Sequence, residues 1–447
     1  MTRTQRSLLA TLLLVACART PEDTPAPAPQ PPASPSATPN DAPTEPCVAA
    51  CGTPERPCRL TREPVPDSDR PVTPPHFALD PAGYVVAAFD VFVGEDPLTS
   101  TTEGRIAVRD LQGHWHVQRA PFQSVAGLAL EPGGHVVVHD SGFVAGQRGG
   151  GLLRAEDGVT RLASDAALEW RAYGPRHNEL TAYFSSLERA PDGSFATVFE
   201  YPFSFGRFDE AAGWRTARVG DFIQLQSPHV AVDAGNRAHA FVAYTGRYDE
   251  PFWISPPDPG ERAPVAGPFS VVGAGEGLTV HVVGRRCTAQ PGVCYGDVEL
   301  PGWELVYARR QAGEWDTPLV APNFSTDPEN VCGNCRLSCP PECAEVESEE
   351  LRPLAVVHDG CGRMRLVVRR LWTRPTCAQL PEGATACAGA RLELVTFGAQ
   401  GEARFSAADG DVPFTRRMLA SRDGVLHAVV DTPDRQAVEY VRLVPAR

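Results

Sequence analysis

From residue 76 onward, apolar and polar positions alternate in short bursts, and one phrase keeps returning: an apolar strand, a turn holding an acid and a glycine, and a second apolar strand. It reads HFALDPAGYVVAAFDVF over 76–92, GLALEPGGHVVVHDSG over 127–142, LERAPDGSFATVFEYP over 187–202, HVAVDAGNRAHAFVAYT over 229–245 and LAVVHDGCGRMRLVVRRLW over 354–372. Weaker copies are SVVGAGEGLTVHVVG over 270–284 and RMLASRDGVLHAVVDT over 417–432. Period-two alternation, β-branched residues and closely spaced turns predict strands, not helices. A second two-strand phrase follows each copy, as in GRIAVRDLQGHWHVQ, GGLLRAEDGVTRLA, WELVYARRQAGEWDTPLV and RLELVTFGAQGEARF. The last copy ends in the single strand VEYVRLV.

Four strands per unit, repeated seven times, predict an all-β chain folded as a β-propeller of seven four-stranded blades over 76–447. A ring of six or eight blades, or two β-sandwiches in tandem, are the alternatives. The lone final strand predicts that the last blade borrows a strand from the N-terminal stretch near 59–73. The turns, above all Asp192-Gly193 and Asp233-Ala234-Gly235-Asn236, resemble a degenerate Asp-box, or BNR, repeat of sialidase-like propellers, roughly Ser-x-Asp-x-Gly-x-Thr-Trp without its Thr-Trp ending. The resemblance implies an architectural role, with the aspartate bonding turn backbone and the glycine accepting positive φ.

Strand direction reverses along a blade, so the turns inside the two strand pairs share one rim and all other connections share the opposite rim. The first set is tight. The second holds the long stretches 94–103, 166–185, 246–252, 285–302, 323–351 and 374–389. Long loops on a rigid scaffold commonly carry function, which places a binding surface on the long rim. Its candidate contacts are Trp170, Tyr173, His177, Arg247, Tyr248, Asp249, Phe252, Trp253, Tyr295 and Trp303. Trp, Tyr and Arg are enriched at interface hot spots and also suit stacking on sugar rings; the alternative is that they pack beneath the loops.

The amino terminus changes where such a module would work. Arg3 and Arg6 precede the apolar stretch Leu8–Ala16, which is too short to span a membrane and reads as an export signal over 1–16. Leu14-Val15-Ala16-Cys17 resembles the bacterial lipobox, which implies a diacylglyceryl group on Cys17 and a lipid-held protein at the outer membrane or cell surface. The stretch from Pro21 to Pro46 holds 10 prolines among 26 residues. It reads as an extended tether, and 17–46 is expected to hold no core. A Cys-containing segment, 47–75, leads into the propeller.

Of 447 residues 42% are apolar and 21% charged, and Gly and Pro number 40 and 44, which argues against long helical bundles. The net charge is −14, every basic residue is arginine, and no arginine run tracks phosphates, so nucleic acid is not an expected partner. Twelve cysteines besides Cys17 predict disulfides in an exported protein. Cys287 with Cys294 and Cys377 with Cys387 are nearest neighbours. Cys47, Cys51, Cys58, Cys332, Cys335, Cys339, Cys343 and Cys361 leave their connectivity open, a bond from Cys361 to the N-terminal group being attractive. The acidic CGNCRLSCPPEC loop (332–343) has zinc-like spacing, but an oxidising compartment favours disulfides, and no metal or cofactor is expected. His135, His239, His281 and His427 occupy one repeat position, which spreads them around the ring. His114 and His116, flanking Trp115, are a weak metal signal. No GxSxG, P-loop or HExxH motif is present, and no catalytic residue is assigned. The sequence therefore predicts a binding module with an unidentified protein or glycan partner; a glycan-active hydrolase or lyase with an axial pocket is the alternative.

Overall fold

The computed structural model describes residues 51–53, 55–94, 101–141, 150–177, 180, 186–200, 202–220, 225–244, 247–255, 260–274, 278–287, 303–317, 319–323, 348–358, 364–373, 388–397, 402–412, 417–432 and 434–446. Strand β1 (Cys58–Pro64) comes first in the chain and is placed last in the ring. Blade 1 comprises β2 (His76–Leu79), β3 (Val85–Val93), β4 (Thr101–Arg109) and β5 (Trp115–Ala120). Blade 2 comprises β6 (Val125–Leu130), β7 (Val136–Asp140), β8 (Gly151–Ala155) and, after helix α1 (Gly158–Leu162), β9 (Trp170–Ala172). Blade 3 holds β10 (Glu188–Arg189), β11 (Phe195–Glu200), β12 (Phe203–Asp209) and β13 (Gly213–Gly220). Blade 4 holds β14 (Leu225–Val232), β15 (Ala238–Tyr244), β16 (Arg247–Ile254) and β17 (Glu261–Arg262).

In blade 5, β18 (Ala266–Ala274), β19 (Thr279–Cys287), β20 (Trp303–Gln311) and β21 (Glu314–Asp316) are joined by β22 (Leu319–Asn323), which also pairs with β20. Blade 6 is β23 (Ser348–His358), β24 (Met364–Thr373), β25 (Ala388–Phe397) and β26 (Ala403–Asp409). Blade 7 is β27 (Leu419–Ala420), β28 (Leu426–Asp431), β29 (Val438–Pro445) and β1. The seven-bladed propeller is thus present among the described residues.

Alternation explains the core. On β3, Val86 and Ala88 face blade 2 and meet Leu128, Val136 and Val138. Their neighbours Val85, Ala87 and Phe89 face blade 7 and meet Val429, Val438 and Tyr440. The same two-way split recurs around the ring, so the apolar interior is a set of slabs between blades, each filled from two strands' opposite faces.

The ring closes where the lone final strand indicated. β1 runs antiparallel to β29 over seven residue pairs, from Cys58↔Pro445 to Pro64↔Glu439. It also touches β26 in parallel at Cys58↔Ala408 and Arg59↔Asp409, which joins blades 6 and 7 into one sheet. A disulfide links Cys51 to Cys58, both buried in the slab between those blades. Cys287 ends β19; Cys47, Cys294, Cys332, Cys335, Cys339, Cys343, Cys361, Cys377 and Cys387 lie outside the described residues.

Several loop boundaries differ from the sequence reading. The stretch 246–252 is partly strand: β16 begins at Arg247, which pairs with Tyr244, and residues 248–251 form a register shift before Phe252 resumes the pairing with Val242. The segment VTRLA, read as a strand, supplies α1, and the outer strand of blade 2 is instead Trp170–Ala172. This divides 166–185 between rims, since α1 lies in the connection 156–169 on the tight rim while 173–187 crosses on the long one. Glu349 and Glu350 leave the acidic loop to pair with Trp372 and Leu371 in β23–β24. The stretches 288–302, 324–347 and 374–387, read as long-rim insertions, lie outside the described residues.

Candidate functional site

The inner strands β2, β6, β10, β14, β18, β23 and β27 start at the long rim and run toward the tight one, and between them lies an axial cavity of about 220 Å³. Much of its wall is apolar, including Phe77, Leu128, Val230, Val272, Val356 and Met418. The polar wall residues are ordered by the repeat. Asp80, Ala190, Asp233 and Ser421 each anchor an inner turn through paired backbone hydrogen bonds. Four residues before these anchors stand His76, Ser186, His229 and Arg417, all lining the cavity. They form a polar collar toward the long rim. In blade 2 the collar position is Gly127, where a Cβ would lie 2.7 Å from the Leu187 side chain of the next blade.

Two residues before the anchors, one layer deeper, most repeats carry an apolar side chain: Ala78, Ala231 and Leu419. Blade 3 carries Glu188. Its carboxylate lies 3.4 Å from the Arg417 guanidinium of blade 7, so an ion pair crosses the axis between opposite sides of the ring. Burial raises the Glu188 carboxyl above its usual range, and Arg417 pulls the other way. Ser186 Oγ accepts from Val230 N at 2.7 Å and Ser270 Oγ from Val356 N at 3.1 Å, stitching neighbouring inner strands into a firm wall. Glu188 and Arg417 were not among the sequence candidates. The available signal was a charged residue at an apolar position of the repeat.

The sequence candidates whose side chains are described lie wholly or partly beneath the surface. Trp170 is half-buried and packs edge-on against Phe122. Tyr173, also half-buried, lies against Phe195 and Phe208 under the Arg154 guanidinium. Phe252 is half-buried against the blade 3–4 slab, and Trp253 is buried, stacks on His239 and reaches the cavity wall. These aromatics obey the strand alternation that fills the slabs, which corrects their placement on exposed loops. Arg247, Tyr248 and Asp249 fall in β16 and Trp303 opens β20; Tyr295 lies outside the described residues.

His177 is buried, and its Nε2 meets Nε2 of His139 on β7 at 3.0 Å in a box closed by Phe199 and Trp214. The Leu180 carbonyl, 2.9 Å from His177 Nδ1, can only accept, so that nitrogen bears the hydrogen. His177 Nε2 is then the acceptor and His139 Nε2 the donor. Burial holds both imidazoles below the usual range, His139 well below, with His177 and His76 adding repulsion. Among the described residues no group of three or more His, Cys, Asp and Glu side chains could hold a metal ion.

The repeated histidines are architectural. His427 Nδ1 meets Tyr440 OH at 2.6 Å while its Nε2 faces Ser421 Oγ of the turn at 2.9 Å. His281 meets Tyr307 OH at 2.6 Å, and His239 bridges Ser255 and Asp233. Desolvation lowers His281 and His427 to about 4. The turn aspartates cap their own loops: Asp192 accepts from Ser194 and Asp233 from Arg237 N.

His116, on outer strand β5, behaves oppositely. It is held between Asp110 Oδ2 at 2.9 Å and Asp165 Oδ1 at 2.6 Å, which raises its pKa and lowers that of Asp110 to about 2. A raised imidazole contributes stability that is full below about 6.5 and is lost as pH climbs through the raised folded value. Asp110→Asn is expected to move the His116 titration, followed by NMR, back toward the ordinary imidazole range; an unmoved midpoint would contradict the clamp.

A scan against protein-family models and a search of curated proteins find no match. Similar solved structures include a virginiamycin B lyase from Staphylococcus aureus, with 10% identity, 87% of this chain and 99% of that chain covered, and a TM-score of 0.46. A streptogramin B lyase gives 11%, 87%, 98% and 0.45. An α-L-arabinanase from Penicillium chrysogenum gives 10%, 87%, 98% and 0.40. The activities in those names belong to those proteins.

Proposed function

We propose that the protein is an exported, lipid-anchored propeller that acts as a binding module, taking a small polar ligand into the axial cavity from the long rim. The signal-like segment and the lipobox-like ending at Cys17 support export and acylation. The observation that carries the binding reading is the Glu188–Arg417 pair set in an axial wall that is partly apolar. Concave, largely apolar sites with a few convergent polar groups are the usual form of a small-molecule site. The collar of His76, Ser186, His229 and Arg417 lies where a ligand entering from the long rim would first be desolvated.

Binding is favoured over two-carboxylate glycoside hydrolysis by one feature. That chemistry flanks the scissile bond with a pair of carboxyl groups, and Glu188 is the one carboxylate among the described residues of the cavity wall. The test is thermal unfolding of the full chain with amino acids, hydroxy acids, monosaccharides and polyamines, repeated on Arg417→Met. At least one class is expected to raise the midpoint by several degrees, an effect lost in the variant. If no class shifts the wild-type midpoint, the axial site is not a binding site.

A further inference from the structure

We propose that the axial site takes a small apolar α-amino acid, its carboxylate held by Arg417 and its ammonium group by Glu188. The inference rests on the binding reading above and deepens it.

Three observations lead to this class. The first is charge: Glu188 and Arg417, from opposite blades, face each other as an ion pair in the cavity, while the wall's other arginine, Arg189, reaches the Gly193 turn. A ligand with a single charge would meet one member of that pair favourably and the other as a like charge. A zwitterion places an opposite charge beside each. The second is spacing. Standard covalent dimensions put the amino nitrogen of an α-amino acid about 3 Å from its nearer carboxylate oxygen, and the Arg417 Nη1 to Glu188 Oε1 distance is 3.4 Å. The two ends of the ligand therefore lie alongside the two ends of the protein pair in an alternating square of four charges, and the pair need not be pulled apart to admit it.

The third is what surrounds the charges. Beyond Glu188 the wall continues as Ala231, Val272, Leu278, Val356 and Leu419, which suits an aliphatic side chain and offers nothing to the hydroxyl groups of a sugar. A cavity of about 220 Å³ has room for a branched aliphatic amino acid. The carboxylate of such a ligand lies at the collar, with the Ser186 hydroxyl and the His76 and His229 rings on the same level.

The experiment is titration calorimetry of the full chain with L-leucine, 4-methylpentanoate, 3-methylbutylamine and D-xylose. Leucine is expected to bind at least about tenfold tighter than either half-molecule, since each half forfeits one charge-assisted contact. Glu188→Gln is expected to bring leucine down to the level of 4-methylpentanoate, and Arg417→Met down to that of 3-methylbutylamine. Either half-molecule binding as tightly as leucine would overturn the amino-acid assignment, and the wild-type series decides this even if a variant fails to fold. Xylose binding without leucine also overturns it and leaves the binding reading standing. Heat with no probe overturns this assignment, and a flat response to the wider thermal panel would remove the binding reading as well.

Discussion

A chain lacking residues 51–64 is expected to lose the cooperative unfolding transition of the intact propeller and to associate through the edge it uncovers. β1 supplies the outer strand of blade 7, so without it β29 presents a row of unpaired backbone groups. The slab between blades 6 and 7 loses Cys51, Cys58 and Leu60. Glu63, bound by Arg109 Nε at 3.0 and 3.2 Å, leaves that guanidinium of blade 1 without its carboxylate, and Arg62–Glu439 is lost as well. Together these exceed the roughly 4–5 kcal/mol that marks the most damaging single changes. Urea unfolding followed by tryptophan fluorescence measures the effect, and a synthetic peptide covering 51–66 is expected to restore the transition when added in trans. A truncated chain melting within about 2 °C of the intact one, the shift that about 1 kcal/mol produces in a large domain, would show that the strand does not close the ring. Replacing Cys51 and Cys58 by serine is a milder form of the same experiment. Their sequence separation of 7 corresponds to about 2–3 kcal/mol in the loop-closure account.

Stability is also expected to fall steeply as pH drops from about 6.5 to 4. His139, His177, His239, His281 and His427 all titrate below the ordinary imidazole value in the folded chain because burial disfavours their charged forms. The unfolded chain therefore binds more protons than the folded one across this window. The contribution is complete above about 6.5 and is lost progressively as pH falls toward the folded values, which are about 4 for His281 and His427. Each such histidine adds about 1.4 kcal/mol per pH unit to the slope. Asp90 and Glu188 oppose the trend: burial raises both, Asp90 to about 6, so the folded state takes up protons there before the unfolded state does. Two carboxyls do not balance five imidazoles. Replacing His281 and His427 by glutamine is expected to flatten the slope by about 2.8 kcal/mol per pH unit between pH 6 and 4.5, read from urea midpoints at a series of pH values. An unchanged slope would mean that these rings are not the proton acceptors.

What the sequence made legible was whatever repeats. The phrase around Asp80, Glu131 and Asp233 recurs because every blade needs the same inner hairpin, and strict alternation marks its strands even where identity is low. The closure strand was readable from a deficit, VEYVRLV being one strand where two were due. Short outer strands were harder. β9 is three residues long, and its pairing with β8 is a tertiary choice that local propensity in VTRLA does not reveal. The tryptophans that end a turn were sought at the inner hairpins; Trp115, Trp214 and Trp315 instead stand just past the outer ones. Glu188 and Arg417 belong to different repeats on opposite sides of the ring, so only closure brings them together. Trp170, Phe252 and Trp253 fill slabs in place of exposed loops, because an aromatic side chain on the inward face of an alternating strand packs with its aliphatic neighbours.

The pairing of β1 with β29 joins the first strand of the described chain to the last. A nascent chain emerging amino terminus first carries β1 through the entire period of synthesis without its partner, while blades 1 to 6 can nest in order behind it. Locking is the final event and requires the whole polypeptide. A prematurely terminated chain, however well its early blades assemble, keeps an open seam, so the architecture itself distinguishes finished molecules from fragments and leaves the latter to proteolysis.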